Sequence, residues 1–342
     1  MSAQTVPGQG WREVYLGGSQ AREDELIRGF AAAMNEIQSL VQARQHAPVI
    51  RRGQHAKILA GITNAEFQVA EDVPADLRNS LLEPGATYPA TVRFSNCNGL
   101  VEPDSARDLR GLAIRVHAGE STMQDFLGTN APASHARDPI QFMVVARAFA
   151  SSSFAGTLWH LLVGLGPFEM VRVLRVLNAG TSRHVSSLAT ERFWSRCPIA
   201  FGTCALKYVL EPLDAAPPAG GATGDDYLRD ELVDRLGRGP VRFGFRVQRF
   251  VDERSTPIED GTVQWQSSGP QETIATLVIP RQDLTTDESR RAAEHVDGLD
   301  FTPWNCVEGL RPLGSMNRAR RWVYEASQAL RGGRDAGQGH WT

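Results

Sequence analysis

The sequence predicts an α+β protein built on an antiparallel sheet large enough to close into an eight-stranded β-barrel, with helices before, within and after it. Two observations carry this prediction. Apolar residues recur at three- and four-residue steps over Arg22–Gln45 and again within Ser151–Arg183. Between and beyond these stretches, a series of short segments alternates apolar and polar residues, separated by turn residues. With 342 residues, 42% apolar and 22% charged, the chain is long enough to bury such a core. No internal repeat is present.

In the first stretch Leu26, Phe30, Met34, Ile37 and Leu40 share one helix face, and Pro48 ends it. Strands are predicted at Glu66–Val69, at Ala90–Ser95 after the turn signal Glu83-Pro84-Gly85, at Gly111–Val116 and at Ile140–Val145. A helical region follows, with Leu161, Leu165, Met170, Val173 and Leu177 apolar. Strands return at Leu206–Leu210, Val241–Phe250, Val263–Trp265 and Ile274–Ile279. These make eight candidates, a number that closes around side chains or around one ligand. Pro217–Gly224 reads as a loop. The expected organisation is an N-terminal helical arm (1–47), a barrel domain (48–331) with a helical insertion near 151–183, and a flexible tail (332–342).

The net charge of −3 gives no reason to expect a nucleic-acid partner. Cys97, Cys197, Cys204 and Cys306 lack metal-ligand spacing and read as reduced thiols. Met1–Gln9 lacks the pattern of a signal peptide, and the most apolar run, Phe154–Gly166, is too short to span a bilayer. A cytoplasmic protein, not integral to a membrane, is the expectation.

Near the C-terminus, Arg318–Arg331 read as a helix places Arg320, Tyr324 and Arg331 on one face. Alone, this is an amphipathic surface helix; a guanidinium over a phenol also favours a phenolate, an uncommon iron ligand. Polar groups in apolar settings recur upstream. Arg51-Arg52-Gly53-Gln54-His55-Ala56-Lys57 precedes the first strand, and Val92-Arg93-Phe94-Ser95 puts Arg93 and Ser95 on one strand face. Gly128-Thr129-Asn130-Ala131-Pro132 lies shortly before Arg137-Asp138-Pro139.

With these blocks in order, together with Arg107-Asp108-Leu109-Arg110-Gly111-Leu112-Ala113, the chain resembles the haem catalase superfamily from about Arg52 to Arg331. Each block is weak alone, and the ordered set is specific. The resemblance implies a catalase-like barrel that binds haem b. It implies His55 as the distal histidine, Asn130 as the distal asparagine and Ser95 as the serine that fixes the imidazole. Tyr324 matches the axial iron ligand, and Arg320 the arginine that keeps it ionised. Arg52, Arg93 and Arg331 match the arginines that pair with the haem propionates, and Phe142 the aromatic ring over the haem. Such a site consumes peroxide: a neutral histidine moves the proton from one oxygen to the other, and an amide polarises the bond between them. His117, His160, His184 and His295 match nothing and read as structural.

The chain departs from typical catalases at Gln54, where they carry valine and allene oxide synthases threonine. His135 stands in place of a phenylalanine, with Ser134 beside it. It also has a shorter N-terminal arm and ends about ten residues after Arg331, where longer catalases carry an extension that helps to intertwine the tetramer. The pattern is similar to the small bacterial catalase-related haem peroxidases. The expected function is therefore a haem peroxidase that uses hydrogen peroxide or organic hydroperoxides to oxidise an organic donor, with weak catalase activity. The alternatives are a true catalase, a fatty-acid hydroperoxide isomerase or dehydratase of the allene oxide synthase type, and a non-catalytic haem-binding protein. A homodimer or homotetramer is compatible with each.

Overall fold

Eight antiparallel strands close into a barrel in the computed structural model, which describes residues 3–4, 10–46, 50–151, 153–213, 216, 223–265 and 272–332. They are β1 (Ile58–Val69), β2 (Thr87–Asn96), β3 (Arg110–His117), β4 (Met123–Thr129), β5 (Phe193–Trp194), β6 (Cys204–Pro212), β7 (Val241–Arg249) and β8 (Thr273–Ile279). The spatial order β7-β8-β1-β2-β3-β4-β5-β6 closes where Phe243–Arg249 of β7 pairs with Leu206–Pro212 of β6. A short strand, Ile199–Phe201, hangs on β6.

Alternation divides the barrel wall into two faces. Phe67, Phe94, Phe126, Phe193, Phe243 and Phe245, contributed by five strands, are fully buried and pack ring on ring with Tyr208. They fill the interior, so of the two uses open to a barrel this one encloses side chains. The intervening residues, Arg93 and Ser95 of β2 among them, face outward under a cover of helices.

That cover consists of α1 (Gln20–Arg44), α2 (Pro139–Phe149), α3 (Phe154–Leu165), α4 (Pro167–Thr181), α5 (Tyr227–Arg238), α6 (Asp287–Gly298) and α7 (Ser315–Leu330). α1 and α7 pack together. Arg318 fixes the start of α7, donating to Glu23 at 2.5 Å and to Glu13 at 2.7 Å, and standing 3.4 Å from Glu259. Burial opposes its charge, yet the surrounding carboxylates hold the guanidinium more firmly protonated than usual. α6 lies close on β1; a Cβ at Gly61 would stand 2.8 Å from the Ala293 backbone.

Two expected strands are not strands. Ile140–Val145 is helical, within α2: the Asp138 side chain accepts from the Gln141 amide, and Pro139 occupies the first turn, a start signal that outweighs a short apolar run. Val263–Trp265 is irregular, and of its residues only Trp265 is buried, beside Trp11 and Ile258. β4 and β5 take their places in the barrel. The predicted 151–183 helix is two helices, broken at Gly166, whose φ is 75°, and Pro167. Pro48, the greater part of the 217–224 loop and the tail from 333 lie outside the described residues. Among the described residues, no helix is long and apolar enough to cross a membrane.

Candidate active site

A cavity of about 490 Å³ lies outside the barrel, between the outer faces of β2, β3 and β4 and helices α1, α2 and α7. Strand alternation supplies its barrel wall: Arg93 and Ser95 from β2, Gly111 and Ala113 from β3, Leu127 and Thr129 from β4. Phe30 and Met34 of α1, Phe142 and Met143 of α2 and Val323 of α7 make much of the rest apolar.

His55 sits just ahead of β1 in a left-handed conformation, φ 58°, uncommon for a residue with a side chain. Its carbonyl accepts from Arg93 Nη2 at 2.8 Å, and its amide donates to the Cys97 carbonyl at 3.1 Å. The imidazole is oriented by the strand beneath it. Nδ1 lies 2.8 Å from the Asn96 carbonyl oxygen and 3.0 Å from Ser95 Oγ. Because the carbonyl can only accept, the proton is assigned to Nδ1, leaving the lone pair on Nε2, 3.8 Å from Cys97 Sγ. Burial, and then the charge of Arg93, pull the imidazole pKa down to about 3, so it is neutral. The ring rests on Gly111, where a Cβ would stand 2.6 Å from Nδ1 and 2.7 Å from Ser95 Oγ.

On the α7 wall, Arg320 Nε donates to Tyr324 Oη at 3.1 Å, and its Nη1 donates to Asn317 Oδ1 at 3.2 Å. Burial opposes the charge of Arg320, but Tyr324 and Cys197 beside it hold the guanidinium more firmly protonated than usual. Arg52 and Arg331 also line the cavity, each with a buried Nε that has no hydrogen-bond partner. Burial, then the charges of Arg93 and Arg331, draw Arg52 down to about 9; burial, with Arg93 adding to it, lowers Arg331 too. Arg93 itself is committed, donating to Asp297 Oδ1 at 2.9 Å as well as to His55.

The structure thus gathers His55, Ser95, Arg52, Arg93, Phe142, Arg320, Tyr324 and Arg331 around one cavity. It does not bring Asn130 there. The Asn130 carboxamide is spent on a buried network, accepting from the Arg110 amide at 2.7 Å and donating to Glu191 Oε2 at 2.8 Å. One residue earlier, on the outward phase of β4, Thr129 faces the cavity with Oγ1 3.5 Å from Arg196 Nη1. Gln54 stands exposed at the cavity rim, with no hydrogen bond to the imidazole. His135 lies behind Phe142, ring centroids 5.5 Å apart, with a buried Nε2 that has no partner; burial pulls its pKa to about 3. Cys97, Gly111, Thr129 and Arg196 were not singled out by sequence. For Gly111 and Thr129 the two-residue period was the available signal; Arg196, on a loop with φ 58°, offered none.

A sequence model of the catalase family matches residues 33–155. The chain is similar to a catalase-related peroxidase of Mycolicibacterium paratuberculosis, 30% identical over 266 residues, which span 74% of this chain and 81% of that protein. In structure it is similar to a bacterial catalase, with a TM-score of 0.64 at 21% identity, covering 84% of this chain and 59% of that one. A fungal catalase gives a TM-score of 0.66 at 16% identity, covering 86% of this chain and 62% of the other. The chain thus spans about 60% of the length of these two solved catalases.

Proposed function

The chain belongs to the catalase superfamily, and from that premise we propose that it is a haem-dependent peroxidase using hydrogen peroxide or an organic hydroperoxide to oxidise an organic donor, with weak catalase activity at most. The observation that carries this reading is one cavity with the bare Nε2 of a neutral His55 on its barrel wall and the Arg320–Tyr324 pair on its α7 wall.

The residues present fit haem. The orphaned Nε groups of Arg52 and Arg331 call for buried acceptors, and two guanidinium groups suit two carboxylates. Phe30, Met34, Phe142, Met143 and Val323 suit the faces of an apolar ring. Tyr324 would hold the iron, and Arg52 and Arg331 the propionates, with Arg93 holding the His55 backbone. Haem supplies the redox chemistry that no side chain of the cavity provides. His55 Nε2 takes the proton from one peroxide oxygen and returns it to the other, while Asn96 and Ser95 keep the required tautomer. The amide donor expected beside it is diverted to Glu191, which favours a donor-consuming peroxidase over fast disproportionation of hydrogen peroxide.

A visible spectrum and parallel oxygen and donor assays test this. Ferric high-spin haem that resists dithionite, with donor oxidation under an alkyl hydroperoxide, is expected. Brisk oxygen release without donor oxidation means a true catalase, and a colourless protein that takes up no haem ends the haem reading. The apolar cavity wall favours one second reading, isomerisation or dehydration of a fatty-acid hydroperoxide, recognised by rearranged lipid formed without donor consumption.

A further inference from the structure

Among the described residues the most exposed large apolar side chains lie on α3 and α4, outside the cavity lining. Phe168 is 90% exposed, Phe154 79%, Val163 66% and Trp159 64%. The three aromatics alone present roughly 500 Å² to water, the size at which an apolar patch marks a binding surface. Over twelve residues α3 contains no charged side chain, and Ala155, Trp159 and Val163 form one outward stripe at four-residue steps. On α4, Phe168, Val171 and Arg175 share an exposed face. The pair of helices has its own small core, Leu161 and Val173 against Val145 and Ala148 of α2, separate from that of the barrel.

Charge distinguishes the occupant of this surface. From Pro139 to Thr181 the charged residues are Arg147, Arg172, Arg175 and Glu169, three cations against one anion, in a chain whose net charge is −3. Glu169 is paired with Arg172 at 2.9 Å, whereas exposed Arg147 and Arg175 have no carboxylate partner among the described residues. A second copy docked face to face would bring like charges together across a two-fold axis. A bilayer with anionic headgroups would neutralise them while taking up the apolar side chains.

We propose that the α3–α4 hairpin seats the protein on the surface of an anionic membrane. α2 connects this surface to the site: Phe142 and Met143 line the cavity, and Val145 and Ala148 anchor the hairpin. A protein seated this way is tethered, through α2, at the membrane itself, which makes membrane-borne lipid hydroperoxides its substrate class; that clause rests on the peroxidase reading, and membrane binding does not.

Flotation of the whole protein with vesicles tests the proposal without any activity measurement. Binding to phosphatidylcholine vesicles containing 30% phosphatidylglycerol is expected to exceed binding to pure phosphatidylcholine at least about tenfold, and to weaken with salt. The double variant V163D/F168D, both exposed positions outside the cavity, should lose at least about tenfold in partitioning while keeping its melting temperature and its consumption of soluble hydrogen peroxide. Three results overturn the proposal: no vesicle binding by the wild type, equal binding by the variant, or a wild-type dimer that ignores vesicles and that V163D/F168D converts to monomer.

Discussion

On the barrel wall of the cavity the polar groups satisfy one another; at its arginine end Arg52 Nη2 donates to the Asp297 and Leu299 carbonyls, but the Nε groups of Arg52 and Arg331 are left over. His55 is held through its ring, its amide and its carbonyl, and Arg93 on the same wall is paired with Asp297. Arg52 and Arg331, by contrast, keep buried Nε groups without partners, and each lowers the pKa of a neighbouring arginine or is lowered by one. A wall complete in itself is preorganised, whereas a cluster of like charges in a buried site is finished only by an anion. Substitutions on the first wall should therefore change chemistry at constant haem affinity, and those in the arginine cluster should do the reverse.

The largest effect expected is that of His55→Ala. Peroxide turnover should fall by about 10²–10⁴, the usual worth of a positioned acid–base group, with haem affinity changed little. Stopped-flow mixing of peroxide with the loaded protein, beside a haem titration, checks both halves; unchanged turnover would sink the assignment and favour a haem-binding protein without catalysis. Gly111→Ala attacks the same wall indirectly. Its methyl group would meet both His55 Nδ1 and Ser95 Oγ at under 3 Å, so the imidazole must swing away, at a cost of roughly 10² in turnover. Arg52→Met sharpens the contrast from the other side. Haem affinity should drop about 10–100-fold through loss of a charge-assisted bond, while the melting temperature of the haem-free protein changes little, because relief of repulsion from Arg93 and Arg331 offsets the loss of the bonds from Arg52 Nη2 to the Asp297 and Leu299 carbonyls. A clearly lower melting point of the haem-free variant would show that the bonds Arg52 makes within the protein outweigh that repulsion and that the cluster needs no further anion.

How much of this was legible in the sequence follows from how local each signal is. The strand Val92–Ser95 and the α7 spacing of Arg320, Tyr324 and Arg331 obey short-range periods, and the structure keeps both. The number of strands was legible, their membership less so. Ile140–Val145 is a short apolar run whose period cannot separate a strand from a buried helix, and β5 is only two residues long. α6 buries only Val296 and offers almost no apolar stripe, whereas α5 carries one, Leu228, Leu232 and Leu236 at four-residue steps, that went unread. Within the site, Asn130 was assigned from a short motif, whereas its direction depends on the phase of β4 and on Glu191, distant by 61 residues. That partnership is tertiary, and no local pattern announces it.

The pH dependence of stability comes next in size. His55 and His135 are both drawn to about 3 by burial. Between the ordinary histidine value near 6.5 and about 3, the unfolded chain binds protons at these positions that the native protein refuses. Stability therefore falls as pH drops through that window, and neither histidine contributes above it. Each can add at most about 1.4 kcal/mol per pH unit to the slope. His135→Phe, which keeps a ring beside Phe142, should flatten the dependence measured by urea midpoints at pH 7, 6, 5 and 4. Parallel curves for the two proteins would mean that His135 is not buried neutral in the native state.

The smallest effect on turnover is expected where the motif and the geometry disagree, at the neighbours Thr129 and Asn130. Asn130→Ser should leave peroxide turnover within about twofold, because its carboxamide does not line the cavity. It should nevertheless destabilise the fold by about 1–3 kcal/mol, since the Glu191 carboxylate and the Arg110 amide each lose a buried partner. Thr129→Val is nearly isosteric and removes a hydroxyl that faces the cavity, so it should move turnover further than Asn130→Ser does. Chemical denaturation and steady-state kinetics on the two variants separate these readings. A loss of turnover confined to Asn130→Ser, with stability intact, would return the amide to the chemistry and require the end of β4 to turn by one residue when haem binds. The opposite pattern fixes Asn130 as the clamp that sets the phase of β4 and so keeps Thr129, not an amide, facing the peroxide.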